Sequence, residues 1–177
     1  MSVMRNEKIK RITFTALMTT FAVVLSFVES LLPSAYFMPP GSKLGLSNIP
    51  VMFSASKLSV KETLLIVFAK SVFVFITRGA TAFFMSLAGG FLSALCMLIM
   101  LRKATDFGYV GIGVLSAICH NIGQLTVSFF LVQSSAIIGY APIMLITAVI
   151  TGFLTGTILR LAMPYFSRLF SFKEMGK

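Results

Sequence analysis

The sequence predicts an all-α membrane protein, a bundle of six transmembrane helices forming one domain over residues 1–177. Composition is the first reason: 57% of the residues are hydrophobic and 11% charged, with a mean hydropathy of +0.96. Water-soluble domains carry about a quarter charged residues. Length is the second reason. Apolar runs near the roughly 20 residues that cross a hydrocarbon core recur along the chain, separated by turn signals. The third is charge placement. The net charge of +10 comes from cations at the ends of apolar runs, an orientation signal for a bilayer. They do not form a continuous basic surface, so nucleic acid is excluded as a partner.

The helices are expected at about 12–32, 44–58, 60–77, 81–101, 108–132 and 138–161. The first follows a basic leader with Arg5, Lys8, Lys10 and Arg11. Its apolar run is long and lacks a clean small-residue cleavage site, so it reads as a retained membrane helix rather than a signal peptide. Thr15, Thr19, Ala22, Ser26 and Glu29 form a small, polar stripe along it. Pro33 ends it, and Pro39-Pro40-Gly41 marks a turn in the following loop. The second helix is short, with Asn48 and Pro50 suggesting an irregular or re-entrant start. The third carries Lys70 near its middle and closes at Arg78, before a tight connection at Gly79 and Ala80.

In the fourth helix Ala82, Ser86, Gly90 and Ala94 recur every four residues beside Gly89, a face suited to close helix packing. The fifth holds the only histidine, His120, with Asn121 and Gln124. At helical spacing Gly113, Ser116, Ala117, His120, Asn121, Gln124 and Ser128 share one side, and Ile118, Ile122, Leu125 and Phe129 share the other. The sixth has Ala148, Gly152 and Gly156 in one row and Thr147, Thr151 and Thr155 in the next. A basic, amphipathic tail is expected from Pro164 onward.

Six crossings put both termini on one side. With that side cytoplasmic, the basic residues of the leader, the Lys57–Lys61 turn, Arg102, Lys103, Arg160 and the tail all lie inside. Only Lys43 and Arg78 lie outside, and Lys70 lies within the membrane. The expected location is a bacterial inner membrane, as a multi-pass protein.

Little here suggests catalysis. The acids are Glu7, Glu29, Glu62, Asp106 and Glu174, too dispersed for magnesium–diphosphate chemistry. There is no phosphate-binding glycine loop for ATP, and the lone histidine makes a poor metal or haem site. No cofactor is expected. Cys96 and Cys119 lie inside apolar runs and read as small packing residues.

What remains is a set of polar groups at membrane depth or at the outer end: Glu29, Lys43, Asn48, Lys70, Arg78, His120, Asn121 and Gln124. Such groups are costly in hydrocarbon unless they meet each other, a neighbouring helix or a ligand. Two readings stay open. The groups join helices, including a structural Lys70–Glu29 pair, or they line a solute site approached past Lys43 and Arg78.

The stretches PGSKLGLSNI (residues 40–49), SLAGG (86–90) and HNIGQL (120–125) resemble the Gx transporter family, also labelled heptaprenyl diphosphate synthase component I. The resemblance covers nearly the whole chain, in order. It implies kinship with the substrate-binding S components of energy-coupling factor importers, six-helix proteins that capture a micronutrient from outside. The partners so implied are a small-molecule solute, a transmembrane coupling subunit and ATPase subunits. In that family the first helix docks on the coupling subunit through small residues spaced by four. Here Ala16 and Thr20, with Thr15 and Thr19, occupy that pattern, threonine partly replacing alanine. Prenyl diphosphate synthases use aspartate-rich motifs, and this chain has a single aspartate. The resemblance also implies two alternatives: a membrane subunit of a flavin- and quinone-linked extracellular electron-transfer complex, or an assembly partner with no ligand.

Overall fold

The computed structural model describes residues 2–31, 45–103 and 108–169. These form six α-helices: α1 (Ser2–Leu31), α2 (Asn48–Lys57), α3 (Val60–Arg78), α4 (Ala80–Lys103), α5 (Tyr109–Val132) and α6 (Ala141–Leu169), with no strand among the described residues. The all-helical, six-helix expectation holds. Four stretches are long and apolar enough to cross a membrane: Lys8–Leu31, Ala80–Leu101, Tyr109–Val132 and Ser135–Tyr165.

The other two helices show why a hydropathy pattern alone would pass them over. The α3 segment carries Lys61, Glu62, Lys70 and Arg78. Helix α2 has only 10 residues, a rise of about 15 Å, half of a typical hydrocarbon core. It is packed against α1, α3, α4 and α6, and Pro50, Val51, Met52, Phe53, Ser54 and Ala55 are all buried. A helix apolar around its whole circumference belongs in an interior. Pro50 sits in the first turn, where a missing N–H removes no intrahelical bond.

Contacts between α1 and α3 show that the two run parallel. Arg11 lies 3.9 Å from Glu62 at one end, and Phe27 packs edge-on against Phe73 toward the other. The rise along α1 from Arg11 to Glu29 is about 27 Å. Helix α2 with its flanking turns covers this same height, since its entry touches Glu29 and its exit leads to the Ser59 turn. There Glu62 accepts the Ser59 N–H at 2.8 Å and closes the first turn of α3.

The inward stripe of α1 is Phe14, Thr15, Met18, Ala22, Ser26 and Glu29, close to the stripe the spacing predicts, with Thr19 only half-buried. Its other face, including Phe21, Val24, Phe27 and Val28, is exposed and suits lipid.

The remaining packing is glycine on backbone. Gly89 of α4 faces α5, where an added Cβ would lie 2.8 Å from the His120 carbonyl oxygen. Its neighbour Gly90 faces α3, where the same addition would lie 2.8 Å from Val67 Cγ1. Gly113 of α5 and Gly152 and Gly156 of α6 meet backbone to backbone. This is the close approach that the small-residue rows predict.

Four boundaries differ from expectation, the first being that α2 begins at Asn48 rather than near 44, after the Gly45 turn. Helix α1 begins at Ser2 rather than near 12, because nothing in the basic leader breaks a helix. Helix α6 begins at Ala141, after Gln133 in a left-handed conformation (φ 52) and a 3-10 segment, Ser135–Tyr140. It then continues through Pro164 to Leu169, where a separate tail was expected. A proline removes one intrahelical bond but need not end a helix that is held by its neighbours.

Candidate functional site

The polar groups converge on the turn that leads into α2. Gly45 has φ +92, a conformation that L side chains rarely adopt, and it turns successive backbone N–H groups toward α1. Glu29 Oε1 accepts from the N–H of Gly45 and of Leu46, each at 2.6 Å, and Oε2 lies 3.5 Å from the Ser47 N–H. The carboxylate, 6% exposed, thus fills a nest of backbone donors at the start of a helix, where negative charge is favoured.

Lys70 approaches the same turn from α3. Its side chain is 1% exposed. Its ammonium donates to Asn48 Oδ1 and lies 3.5 Å from Ser47 Oγ. Gly90 leaves room for it: a Cβ there would stand 3.5 Å from Lys70 Cε. Glu29 and Lys70, one of the two readings being a structural pair, hold the two sides of one turn, the carboxylate its N–H groups and the ammonium its side-chain oxygens. Opposite charges sharing one buried segment offset part of each other's desolvation cost.

The third side is α5. The His120 ring lies between two glycines, near Gly45 on one side and Gly89 on the other, where added Cβ atoms would stand 3.6 Å from Cδ2 and 3.0 Å from Cε1. Gln124, one turn along, packs against Gly89 and is 1% exposed. Its Oε1 has no hydrogen-bond partner among the described residues.

Below the turn a narrow cavity continues between α2 and the α5–α6 pair. It is lined by Gly45, Asn48 and Met52, by Met97, by Gly113, Ser116, Ala117 and His120, and by Thr151 and Thr155. It has room for roughly one water. The hydroxyls along it donate to their own helices: Ser116 to Gly113 O, Thr151 to Thr147 O and Thr155 to Gly152 O. Their lone pairs remain to accept from whatever occupies the cavity.

Not every sequence candidate joins this cluster. Asn121 turns to α6, donating from Nδ2 to Met144 O at 2.6 Å. Arg78 is half-buried at the far end of α3, about 12 Å along the helix from Lys70. Lys43 and the 33–43 loop lie outside the described residues. On α1, Ala16 and Thr20 face outward, Thr19 is half-buried and Thr15 is buried, with Thr15, Thr19 and Thr20 each donating to the carbonyl four residues earlier. Among the described residues no group of three His, Cys, Asp or Glu side chains could hold a metal ion.

Ser47, Ser116, Thr151 and Thr155 are site residues that sequence reasoning missed. The threonine row of α6 was a visible signal, but only the fold shows that it faces α2.

The Met144 carbonyl also accepts from Thr147 Oγ1 at 3.0 Å, so losing Asn121 does not orphan it. Asn121→Ala is expected to lower stability by about 0.5–1.5 kcal/mol, the net value of one hydrogen bond, with ligand affinity unchanged. Thermal unfolding in a bilayer mimetic, with and without ligand, checks both parts.

Several long apolar helices around a buried polar cluster define a multi-pass membrane protein. The sequence model described as heptaprenyl diphosphate synthase component I matches residues 18–162, and the chain belongs to that family. No curated protein and no solved structure matches it.

Proposed function

We propose that the chain is the substrate-binding membrane subunit of an energy-coupling factor type importer for a vitamin or vitamin precursor, capturing a small polar or anionic solute from outside. It is not itself an enzyme. A coupling subunit and ATPases supply the energy, and Ala16 and Thr20 on the outward face of α1 are available to such a partner. One observation carries the reading: Asn48 and His120 line the cavity between α2 and α5, and Asn48 accepts from the buried Lys70 ammonium behind it. A lysine in mid-membrane is expensive to keep, and pure helix joining does not call for a charge beside a cavity lined by acceptors. In this conformation the cavity holds about one water, so solute entry requires the 45–47 turn and α2 to move away from α5.

Native mass spectrometry of the gently purified protein tests this directly. The expected spectrum contains a retained small molecule and, in complexes, the masses of coupling and ATPase subunits. Co-purification with a flavinylated or quinone-handling protein, without a bound solute, would overturn the proposal.

The orientation follows from the cation bias, with both termini and the Lys57–Lys61 turn cytoplasmic. In a chain without its native cysteines, a membrane-impermeant maleimide added from outside is expected to label Gly79→Cys and to spare Ser59→Cys. The reverse pattern contradicts this orientation.

A further inference from the structure

Cys96 and Cys119 are the only two cysteines in the chain, and sequence spacing gave no reason to associate them. The fold brings them to facing positions on the α4–α5 seam, close enough to influence each other. The geometry follows from the glycine crossing. Gly89 and Gly123 touch backbone to backbone, an added Cβ on Gly123 lying 2.8 Å from Gly89 Cα, which sets one common level on the two antiparallel helices. Cys96 then lies about 10 Å further along α4, and Cys119 about 6 Å back along α5 on the same side of the crossing. Helical side chains lean toward their own N-terminus. On α4 that direction leads toward the crossing and on α5 away from it, so the two thiols converge. The seam is tight because glycine removes the side chains that would hold the backbones apart.

Each thiol also adjoins the cavity wall in sequence: Cys96 precedes Met97 and Cys119 precedes His120, both lining residues. Both cysteines are half-buried rather than sealed in the core, so the pair can be reached from the lipid side of the bundle. We infer that Cys96 and Cys119 form a thiol–disulfide couple that fastens α4 to α5 beside the cavity, with a lipid-soluble quinone as its oxidant. Within the bilayer an oxidant must itself be lipid-soluble. The two S–H bonds break and one S–S bond forms. Two electrons and two protons pass to the quinone, which leaves as the quinol. A disulfide here joins two walls of the cavity region and restricts their relative movement, so oxidation and solute exchange become coupled. The couple itself does not depend on the transport reading.

The test uses the full chain in lipid nanodiscs, freed of reductant and treated with duroquinone, whose fully substituted ring cannot alkylate thiols. The expected result is loss of both maleimide-reactive thiols and an intact mass lower by two hydrogens, about 2 Da, with the chain still monomeric and the change reversed by dithiothreitol. Trypsin cleavage at Arg102 or Lys103, between the cysteines in sequence, should leave the two halves joined until reduction. Cys96→Ser should keep its remaining thiol and lose no mass. Two persisting thiols in the folded wild-type chain, or a disulfide found only between chains, overturns the inference.

Discussion

Replacing Gly152 by leucine is expected to force α5 and α6 apart and to give a large loss of stability. An added Cβ at Gly152 already lies 2.5 Å from Val114 Cα and 2.8 Å from Gly113 O. Both neighbours are backbone, so no rotamer change can relieve the clash. Gly152→Ala should cost about 1–3 kcal/mol, the usual range for overpacking, and leucine at least the upper end of it. Gly79 supplies the contrast. Nothing stands within 4 Å of its added Cβ, and only its backbone conformation (φ 85, ψ −177) opposes a side chain, so Gly79→Ala should cost about 1–3 kcal/mol from backbone strain alone. Thermal unfolding in nanodiscs measures both, and equal stability of Gly152→Leu and wild type would refute the backbone contact.

The second large effect is expected at Glu29. Its carboxylate accepts from two backbone N–H groups at 2.6 Å, in a buried place that water does not readily fill. Glu29→Ala leaves those donors without an acceptor and removes the negative charge nearest the turn that also binds Lys70. Hydrogen bonds to charged groups contribute about 1.5–3 kcal/mol, and a loss in that range is expected. Glu29→Gln keeps one acceptor oxygen and should recover part of it. The 45–47 turn should loosen first, visible as faster amide exchange at Gly45 and Leu46 in Glu29→Ala. Unchanged exchange there would show that the carboxylate does not hold the turn.

The long helices were legible because the bilayer demands long apolar runs with charged ends, and the glycine rows of α4 and α6 were legible because backbone contact tolerates nothing larger. The polar side of α5 was equally clear: Ser116, His120, Asn121, Gln124 and Ser128 are all buried, while Ile122 and Phe129 are exposed. Hydropathy could not show that α2 is a short central post. A largely apolar helix of ten residues looks the same whether it stops halfway through a membrane or stands inside a bundle. Nor could it place Glu29, Lys70 and His120 around one turn, since those residues lie on α1, α3 and α5 and periodicity orders only residues on the same helix. Asn121 and Gln124 illustrate the limit further. They share a face by spacing, yet one reaches α6 and the other packs on α4.

The central claim is that the buried lysine serves a ligand as well as the turn, and Lys70→Met tests it. Methionine keeps most of the side-chain volume and removes the charge; because removing one of two opposite buried charges can cost about 3–5 kcal/mol, the comparison is made per folded chain. The decisive measurement is the amount of small molecule retained per folded chain, read by native mass spectrometry for wild type and Lys70→Met purified in parallel. The account predicts that the folded fraction of Lys70→Met, less stable than wild type, retains at least tenfold less of the molecule, about 1.4 kcal/mol or more in affinity. Equal retention by the two folded proteins would contradict it.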